Sequence, residues 1–454
     1  MSKFFKLSLL MSILLVVLGA GVVSAQGGSC PAEWVLMSAE LEAACAGELS
    51  GTVVTMTGPF TDADEVKFND AVAPFEAWTG IDIRYTGSKE FEAAIRASVE
   101  GGSVPDIVDF PQPGLLRDFV QGGYVLDVST FMNPEWLSQN YIQSWLDMAT
   151  IGGPDGDIMA GVWNRINGKS LVWYPIRAWE EAGYEIPTTW DELIALNAQI
   201  VADGSSPWCV GIESGAATGW AATDWMEEIM LRTTSLENYD NWTIPATAAD
   251  RLLFTSPEVT SAAETLGELW FTPDNVFGGR QAIASTFFGD APLPMFTDPA
   301  GCYMHKQGNF ITSFFPEGTV AGVDYGVFYL PPIDEAYGRP FLVAGDIYSM
   351  FRDRPEVRAV MDFFSRGESV RAWLGTGGAL SPHRDTQLEW YGVELERDIA
   401  TLIADATSVR FDGSDLMPGA VGAGSFWKGM TDWVSGTVDL PTALAEIDAA
   451  WPSN

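Results

Sequence analysis

The sequence has 454 residues, of which 61 are acidic and 24 are Lys or Arg, giving a formal net charge of −37. Such an acidic surface repels phosphate polyanions and anionic lipids, so it argues against a nucleic acid or a membrane surface as partner. A hydrophobic content of 47%, with 18 Trp and 25 Phe, supplies ample apolar area for a folded core. The length predicts two or more domains of about 100 to 200 residues each.

The first 25 residues have the pattern of a secretory signal peptide. Lys3 and Lys6 form a basic segment, residues 7–18 form an apolar one, and residues 23–25 are suitably small for cleavage. We therefore expect cleavage after residue 25 and a secreted chain, located in the periplasm or at the cell surface. The alternative is a lipoprotein with Cys30 as its lipidated N-terminus, although the residue three positions upstream is not the usual apolar one.

Four cysteines follow the signal peptide: Cys30, Cys45, Cys209 and Cys302. An even number in an oxidising compartment, without CxxC spacing, favours two disulfides over metal ligation. Three pairings are open, and we expect Cys30 with Cys45, closing an N-terminal extension at residues 26–50, and Cys209 with Cys302. The alternative is four free buried thiols. We expect neither a metal nor another cofactor.

From residue 51 onward, short apolar strands alternate with helical stretches, which indicates an α/β fold with a largely parallel sheet. The predicted strands are residues 52–57, 81–85 and 106–110, and the predicted helices are residues 64–79 and 91–99. Pro74 is expected to kink or divide the first of these helices.

A second series of elements begins at residue 170. Thr189 and Glu192 form a capping box for a helix that runs to about residue 202, because each side chain can satisfy free amides of the first turn. The remaining predictions are strands at residues 170–174, 209–212, 325–330 and 343–351 and a long amphipathic helix at residues 355–374.

Motifs of known enzyme classes are nearly absent. The sequence contains no Walker loop and no GxGxxG, HExxH or GxSxG pattern. Residues 425–428 match SxxK, but the SDN and KTG motifs that accompany it in penicillin-binding proteins are missing. With only His305 and His383 in the chain, a catalytic triad has no support. A glycoside hydrolase needs only two carboxyl groups beside a bond, so it stays open as an alternative function.

Tryptophan is frequent, and several Trp residues stand beside small and polar residues in loop-like contexts, such as Trp163, Trp220 and Trp427. Indole faces stack on the C–H faces of pyranose rings, while neighbouring polar side chains bond the hydroxyl groups. The pattern indicates a carbohydrate site. Core packing is the competing explanation for any single Trp.

Seven short segments are spread over residues 50–454 in a fixed order. They are residues 75–81 (FEAWTGI), 105–108 (PDIV), 170–174 (SLVWY), 179–184 (WEEAGY), 187–193 (PTTWDEL), 354–359 (RPEVRA) and 426–427 (FW). This ordered set resembles the extracellular solute-binding proteins of ABC importers, in the sugar-binding family that includes the maltose-binding protein. The block WEEAGY followed by PTTWDEL is its most specific part.

The resemblance implies a two-lobed α/β fold, the type II periplasmic-binding-protein fold, with the ligand cleft between the lobes. It implies a monomer that binds a carbohydrate without catalysis and whose hinge closure is recognised by the permease subunits of an ABC transporter. The expected division is residues 51–163 and 330–378 for lobe I, and residues 164–329 and 379–454 for lobe II.

The resemblance also implies ligand-binding residues. Trp427 matches the family's stacking Trp, Trp220 falls in an aromatic loop after the strand predicted to end at Ile212, and Asp109 stands where the family places a hydroxyl-binding carboxylate. The full expected set is Phe60, Asp109, Gln112, Arg165, Trp220, Asp224, Asn309, Asp346 and Trp427.

The expected ligand is an α-glucoside or a short oligosaccharide, because residues 170–174 and 211–225 resemble the α-glucoside-binding branch of the family. A glutamate common in maltose binders is not visible around Asn164, and Pro175 stands where asparagine is usual, so the resemblance does not single out maltose. A binder of metal, polyamine or peptide would use the same fold, which does not by itself fix the ligand.

Overall fold

A computed structural model describes residues 29–452. The expected signal peptide, residues 1–25, lies outside this range. No helix in the described range combines the length and the apolar character needed to cross a membrane.

Two sheets and a hairpin organise the chain. The strands are β1 (Val53–Gly58), β2 (Asp82–Gly87), β3 (Ile107–Phe110), β4 (Thr150–Gly153), β5 (Gly156–Met159), β6 (Val162–Gly168), β7 (Leu171–Pro175), β8 (Ser206–Trp208), β9 (Cys302–Lys306), β10 (Tyr325–Tyr329), β11 (Pro340–Met350) and β12 (Ser408–Phe411). The first sheet has the order β12-β11-β3-β1-β2, with β6 paired to β11, and the second has the order β10-β7-β9-β8. β4 and β5 form the hairpin.

Helices cover both sheets. They are α1 (Ala39–Cys45), α2 (Ala63–Thr79), α3 (Phe91–Glu100), α4 (Pro113–Gln121), α5 (Pro134–Asn140), α6 (Gln143–Ala149), α7 (Ile176–Ala182), α8 (Trp190–Ala202), α9 (Trp220–Thr233), α10 (Leu236–Thr243), α11 (Pro257–Phe271), α12 (Arg280–Ile283), α13 (Pro355–Phe364), α14 (Arg371–Thr376), α15 (Glu394–Ala404), α16 (Gly413–Leu416), α17 (Trp427–Ser435) and α18 (Leu440–Ala449). The capping box of Thr189 and Glu192 is present at α8, as predicted.

The first sheet begins as predicted, with β1, β2 and β3 in parallel because α2 and α3 return the chain between them. β11 enters this sheet much later in the sequence and pairs antiparallel with both β3 and β6. All eleven residues of β11 are buried, which fits a strand paired on both of its edges.

Three predicted elements differ in the structure. The first is α2, which is continuous through Pro74. Pro74 has no amide hydrogen to donate to the carbonyl of Asp70, one turn earlier. Pro74 is half-buried and Asp70 is exposed, so water can bind that carbonyl instead.

The second difference lies at residues 209–212, which do not form a strand; β8 ends at Trp208. The amide of Cys209 donates to the Met304 carbonyl, whereas the amide of Ile212 donates to the Ile283 carbonyl. These amides therefore bond different segments instead of one neighbouring strand.

The third difference is the predicted helix at residues 355–374, which is interrupted between α13 and α14. Arg366 is fully buried and pairs with Asp362 one turn earlier, at 2.9 Å. The amide of Gly367 donates to Asp385 at 3.0 Å. That bond to a distant side chain replaces the helical one and ends the helix.

We call the parts of the chain that build the first and the second sheet the first half and the second half. Two hydrophobic clusters, the first core and the second core, fill them, and the first core extends into the second sheet through residues such as Trp173 and Tyr325. In the described range, the chain crosses between the halves at residues 169–170, 330–339 and 412. The third crossing comes later than the expected boundary at residue 378. β12 pairs with β11, and Ile399 and Phe411 pack in the first core, so residues 379–411 lie with the first half.

Both expected disulfides are present, Cys30–Cys45 and Cys209–Cys302, each with a Cα–Cα distance of 5.6 Å. The first ties the segment before α1 to the last residue of that helix. The second joins the residue after β8 to the first residue of β9.

Candidate functional site

A cavity of about 940 Å³, part of which is open to solvent, is lined by residues of both halves. We call it the cleft. Phe60 follows the end of β1, and Gln112 follows the end of β3. Both therefore stand at the carboxyl ends of parallel strands, where ligands bind in open α/β sheets.

Aromatic rings from the second half form one wall of the cleft. Trp220, Phe288 and Phe310 contact one another, with centroid distances of 5.0 Å from Trp220 to Phe288 and 5.8 Å from Trp220 to Phe310. All three are only partly buried. Trp427 also lines the cleft but is 2% exposed, and its indole nitrogen lies 3.4 Å from the hydroxyl of Ser414. The wall offers flat apolar faces to a ligand.

Arg165 is the central cation on the first-half side. Its register partner across β6 and β11 is Asp346, and its Nε donates to that carboxylate at 2.8 Å. Its Nη1 lies 3.4 Å from Asp64, and its guanidinium lies 4.4 Å from the ring centroids of both Phe60 and Trp373. Burial alone would lower the pKa of Arg165, but the carboxylates of Asp346 and Asp64 raise it above its ordinary value. The guanidinium is thus fixed and fully charged.

Lys169 stands at the first crossing and is likewise held between two carboxylates. Its Nζ donates to Asp224 at 2.9 Å and to Asp412 at 2.5 Å, and it lies 5.2 Å from the Trp220 ring centroid. Burial would raise the pKa of Asp412, but the Lys169 ammonium lowers it to about 2. Asp224, Glu227 and Asp412 have a spacing that could hold a metal ion, but the Lys169 ammonium occupies the position between two of them.

Three residues that line the cleft each carry a buried acceptor oxygen that has no donor among the described residues. These oxygens are Asp64 Oδ1, Gln112 Oε1 and Asn167 Oδ1. Buried polar atoms in proteins normally have a hydrogen-bond partner, and leaving one without a partner costs about 1 to 3 kcal/mol. Residues around the cleft therefore have acceptor capacity that the described part of the protein does not itself use.

The structure brings together six of the nine expected ligand-binding residues. These are Phe60, Gln112, Arg165, Trp220, Asp346 and Trp427, all of which line the cleft. The other three are not on its wall. Asp109 is fully buried beside the Tyr85 hydroxyl at 3.3 Å, and Asp224 binds Lys169. Asn309 accepts from the Gly168 amide and donates to Glu396, so it lies in the joint between the halves.

The sequence prediction missed further cleft residues, among them Asp64, Glu92, Asn167, Lys169, Phe288, Phe310, Asp412 and Asp415. The adjacent pair of Phe287 and Phe288 was a usable signal, since two aromatic residues stand there before a Gly-Asp turn. The acidic residues had no such signal, because the chain contains 61 of them.

The chain is similar to two proteins over most of its length. It is 42% identical over 401 residues to the osmoprotective compounds-binding protein GgtB of Synechocystis sp., a match that covers 88% of this chain and 92% of GgtB. It is 40% identical over 413 residues to the alpha-glucosides-binding periplasmic protein AglE of Rhizobium meliloti, a match that covers 89% of this chain and 88% of AglE.

The fold is shared with a solved chitin oligosaccharide binding protein. The TM-score is 0.73 at 16% sequence identity, over 88% of this chain and 98% of that one. In addition, residues 58–368 match the family model described as bacterial extracellular solute-binding protein. The chain belongs to the bacterial extracellular solute-binding protein family.

Proposed function

We propose that this protein captures an α-glucoside or a related small glucoside and delivers it to the permease of an ABC importer. The observation that carries the proposal is the chemistry of the cleft. Asp64, Gln112 and Asn167, each with a buried acceptor oxygen that has no donor among the described residues, line the same cavity as Trp220 and Phe310. A sugar offers hydroxyl donors at its edges and C–H groups on its faces, so it fits both features.

The two similar proteins support this ligand class. One is named for osmoprotective compounds and the other for alpha-glucosides. The arrangement of two halves joined by three crossings supports capture by closure, because a ligand that touches both walls stabilises the closed form. As an exported component it would act in the periplasm or at the cell surface.

The proposal is tested by titrating the protein with sugars. Isothermal titration calorimetry with trehalose, sucrose and maltose, each an α-glucoside, should detect binding, with cellobiose as the β-linked control. A ligand at 100 times its Kd should add about 2.7 kcal/mol of stability in a thermal melt. Binding of cellobiose with no binding of any α-glucoside would contradict the proposed ligand class.

We propose further that the ligand is released unchanged. Chromatography of each sugar after incubation with the pure protein should recover it intact. Cleavage products that disappear when a cleft carboxylate is replaced would instead identify a glycoside hydrolase, the alternative that the acidic composition leaves open.

A further inference from the structure

One face of helix α9 carries four charged side chains in the interior of the protein. They belong to Asp224, Glu227, Glu228 and Arg232, and each residue is at most 1% exposed. Their spacing of three and four positions places them on the same side of the helix, in successive turns. The helix begins at Trp220, which lines the cleft. α9 therefore leads from the cleft wall to a buried row of charges.

The first crossing is bound by two of these side chains. Lys169 Nζ donates to Asp224 at 2.9 Å, and the Ser170 hydroxyl donates to Glu228 at 2.9 Å. The same hydroxyl accepts from the amide of Leu342 in β11, also at 2.9 Å. Hydrogen bonds to an ionised acceptor are the stronger ones in proteins. The helix thus holds both residues of this crossing and, through Ser170, the strand that follows the second crossing.

The second crossing depends on Arg232 for hydrogen-bond donors, because it contains two adjacent prolines and these have no amide hydrogen. The guanidinium donates to the carbonyls of Leu330 at 3.1 Å, Pro331 at 3.2 Å and Pro340 at 3.4 Å. It also binds the carboxylate of Glu228, one turn earlier on α9. A guanidinium is a planar fork with five donors, which lets one side chain serve several acceptors; a lysine ammonium lacks this geometry.

The third crossing is bound to the same helix through Ser414, two residues beyond it. The amide of Ser414 donates to Glu227 at 2.9 Å, and the hydroxyl of Thr223 on α9 donates to the Ser414 hydroxyl at 3.1 Å. That hydroxyl lies 3.4 Å from the indole nitrogen of Trp427 in the cleft. All three crossings are therefore bonded to one helix.

We propose that α9 anchors the hinge: it binds the three crossings into one unit and couples that unit to Trp220 in the cleft. Arg232 and Glu228 are positioning residues, because they do not line the cleft but hold the segments about which the halves turn. A helix is a rigid element, so a solute that shifts Trp220 acts on all three crossings together. The coupling to a solute rests on the proposed function, whereas the anchor itself does not.

Hydrogen exchange of the ligand-free protein, followed by mass spectrometry, tests the anchor, since exchange reports local opening. Arg232→Lys keeps the charge and removes the fork. Exchange should then rise at least tenfold in the peptides that contain the amides of Lys169 and Ser414. These amides donate to Leu342 and Glu227, not to Arg232, so a rise reports coupling through α9 and not the loss of a direct bond. Peptides from β1 and β2 should exchange as in the wild type.

Arg366→Lys is the matched control. Arg366 is also fully buried, pairs with Asp362 one turn earlier at 2.9 Å and donates to the carbonyl of Val35 at 3.2 Å. It lies in the first half, away from the crossings. Its replacement should leave exchange at the crossings unchanged. A rise of the same size in both variants would show that any loss of a buried arginine loosens the crossings, and would overturn the proposal.

Ser170→Ala gives a second test that keeps every buried charge. It removes the hydroxyl between α9 and β11 and should also raise exchange at the amide of Ser414. Ser365→Ala is its control, because Ser365 is equally buried in the first half and its hydroxyl likewise both donates and accepts. A rise confined to the second crossing in Arg232→Lys, with no effect of Ser170→Ala on Ser414, would overturn the anchor.

Saturating maltose tests the coupling to the solute. The amide of Leu330 is the probe, because it bonds the Ser170 carbonyl at 3.0 Å and does not line the cleft. Maltose should slow its exchange at least fivefold in the wild type and less than twofold in Arg232→Lys, whereas equal slowing in both would refute the coupling. A wild type that binds none of maltose, sucrose and trehalose counts against the proposed function, and the ligand-free comparison still decides on the anchor.

Discussion

The backbone of Gly219 lies directly against the carbonyl oxygen of Trp427. Gly219 has a φ of +115°, and a Cβ added there would stand 2.2 Å from that oxygen. Each residue is at the start of a helix, since Gly219 precedes α9 and Trp427 begins α17. The contact therefore sets the spacing between Trp220 and Trp427, the two tryptophans of the cleft.

Gly219→Ala should lower both stability and ligand affinity. The new methyl group would collide with the Trp427 carbonyl, and overpacking of this kind costs about 1 to 3 kcal/mol. Gly183→Ala is the matched control, because Gly183 also has positive φ (+72°) but no atom within 4 Å of the added Cβ. Urea denaturation should show a larger loss for Gly219→Ala. Equal losses would mean that only the positive φ matters, at roughly 1 to 2 kcal/mol.

Trp427→Ala and Phe426→Ala should separate binding from packing. Phe426 is fully buried in the second core against Phe254 and Trp242, at centroid distances of 4.8 Å and 5.5 Å. Its truncation should cost about 3 to 5 kcal/mol of stability. Trp427 lines the cleft, so its truncation should weaken sugar binding at least tenfold. If Trp427→Ala melts as early as Phe426→Ala and binds sugar as tightly as wild type, its role is packing alone.

The Cys209–Cys302 disulfide should contribute substantially to stability. It closes a loop with a sequence separation of 93 residues. Chain-entropy arguments give about 4.7 kcal/mol for a loop of this size, and disulfides typically contribute about 2 to 4 kcal/mol. Replacing both cysteines with alanine should therefore lower the denaturation midpoint. Peptide mapping without reductant should recover the two residues as one linked fragment, and recovery of both as free thiols would refute the pairing.

Glu396 should make stability depend on pH. Burial raises its pKa to about 7, although the amide of Gly378 and the side chain of Asn309 donate to it. Because the folded pKa lies above the unfolded one, this group stabilises the fold at low pH, and the contribution is lost as the pH rises through 7.

Between pH 5 and pH 8, the wild type should therefore lose more stability than Glu396→Gln. The difference should reach about 2.5 kcal/mol, because roughly two units of the pKa shift lie within this range and each corresponds to 1.36 kcal/mol. Glu264→Gln, which removes an exposed carboxyl group instead, should follow the wild-type profile in the same denaturation series. Parallel profiles for the wild type and Glu396→Gln would show that Glu396 does not titrate as inferred.

Local patterns in the sequence predicted most elements of the first half and the start of α8. The capping box of Thr189 and Glu192 needs only residues within one helical turn, so the sequence contains all of its information. Residues 209–212 were wrongly predicted as a strand because their backbone partners, such as Met304 and Ile283, come from distant segments. No local pattern reports such partners.

In the candidate site, too, the sequence indicated residues with a local signal and missed residues whose position depends on distant segments. Trp220 and Trp427 stood out by residue type and context, and both line the cleft. Asp415 did not stand out, because its position depends on how α16 packs against α4, where Gly114 approaches the Met417 carbonyl. Asp109 was assigned from its place after a strand, but its side chain is buried away from the cleft wall.

The late arrival of β11 has a consequence for the order in which the chain can fold. During synthesis, β1, β2 and β3 emerge first, yet the strand that pairs with β3 begins only at Pro340. Until then the edge of β3 that faces away from β1 has no partner, and exposed edges favour aggregation. A nascent chain ending before Pro340 cannot complete the first sheet. Fragments cut there should therefore remain unfolded or associate, and the two halves should not be separable by any single cut in the sequence.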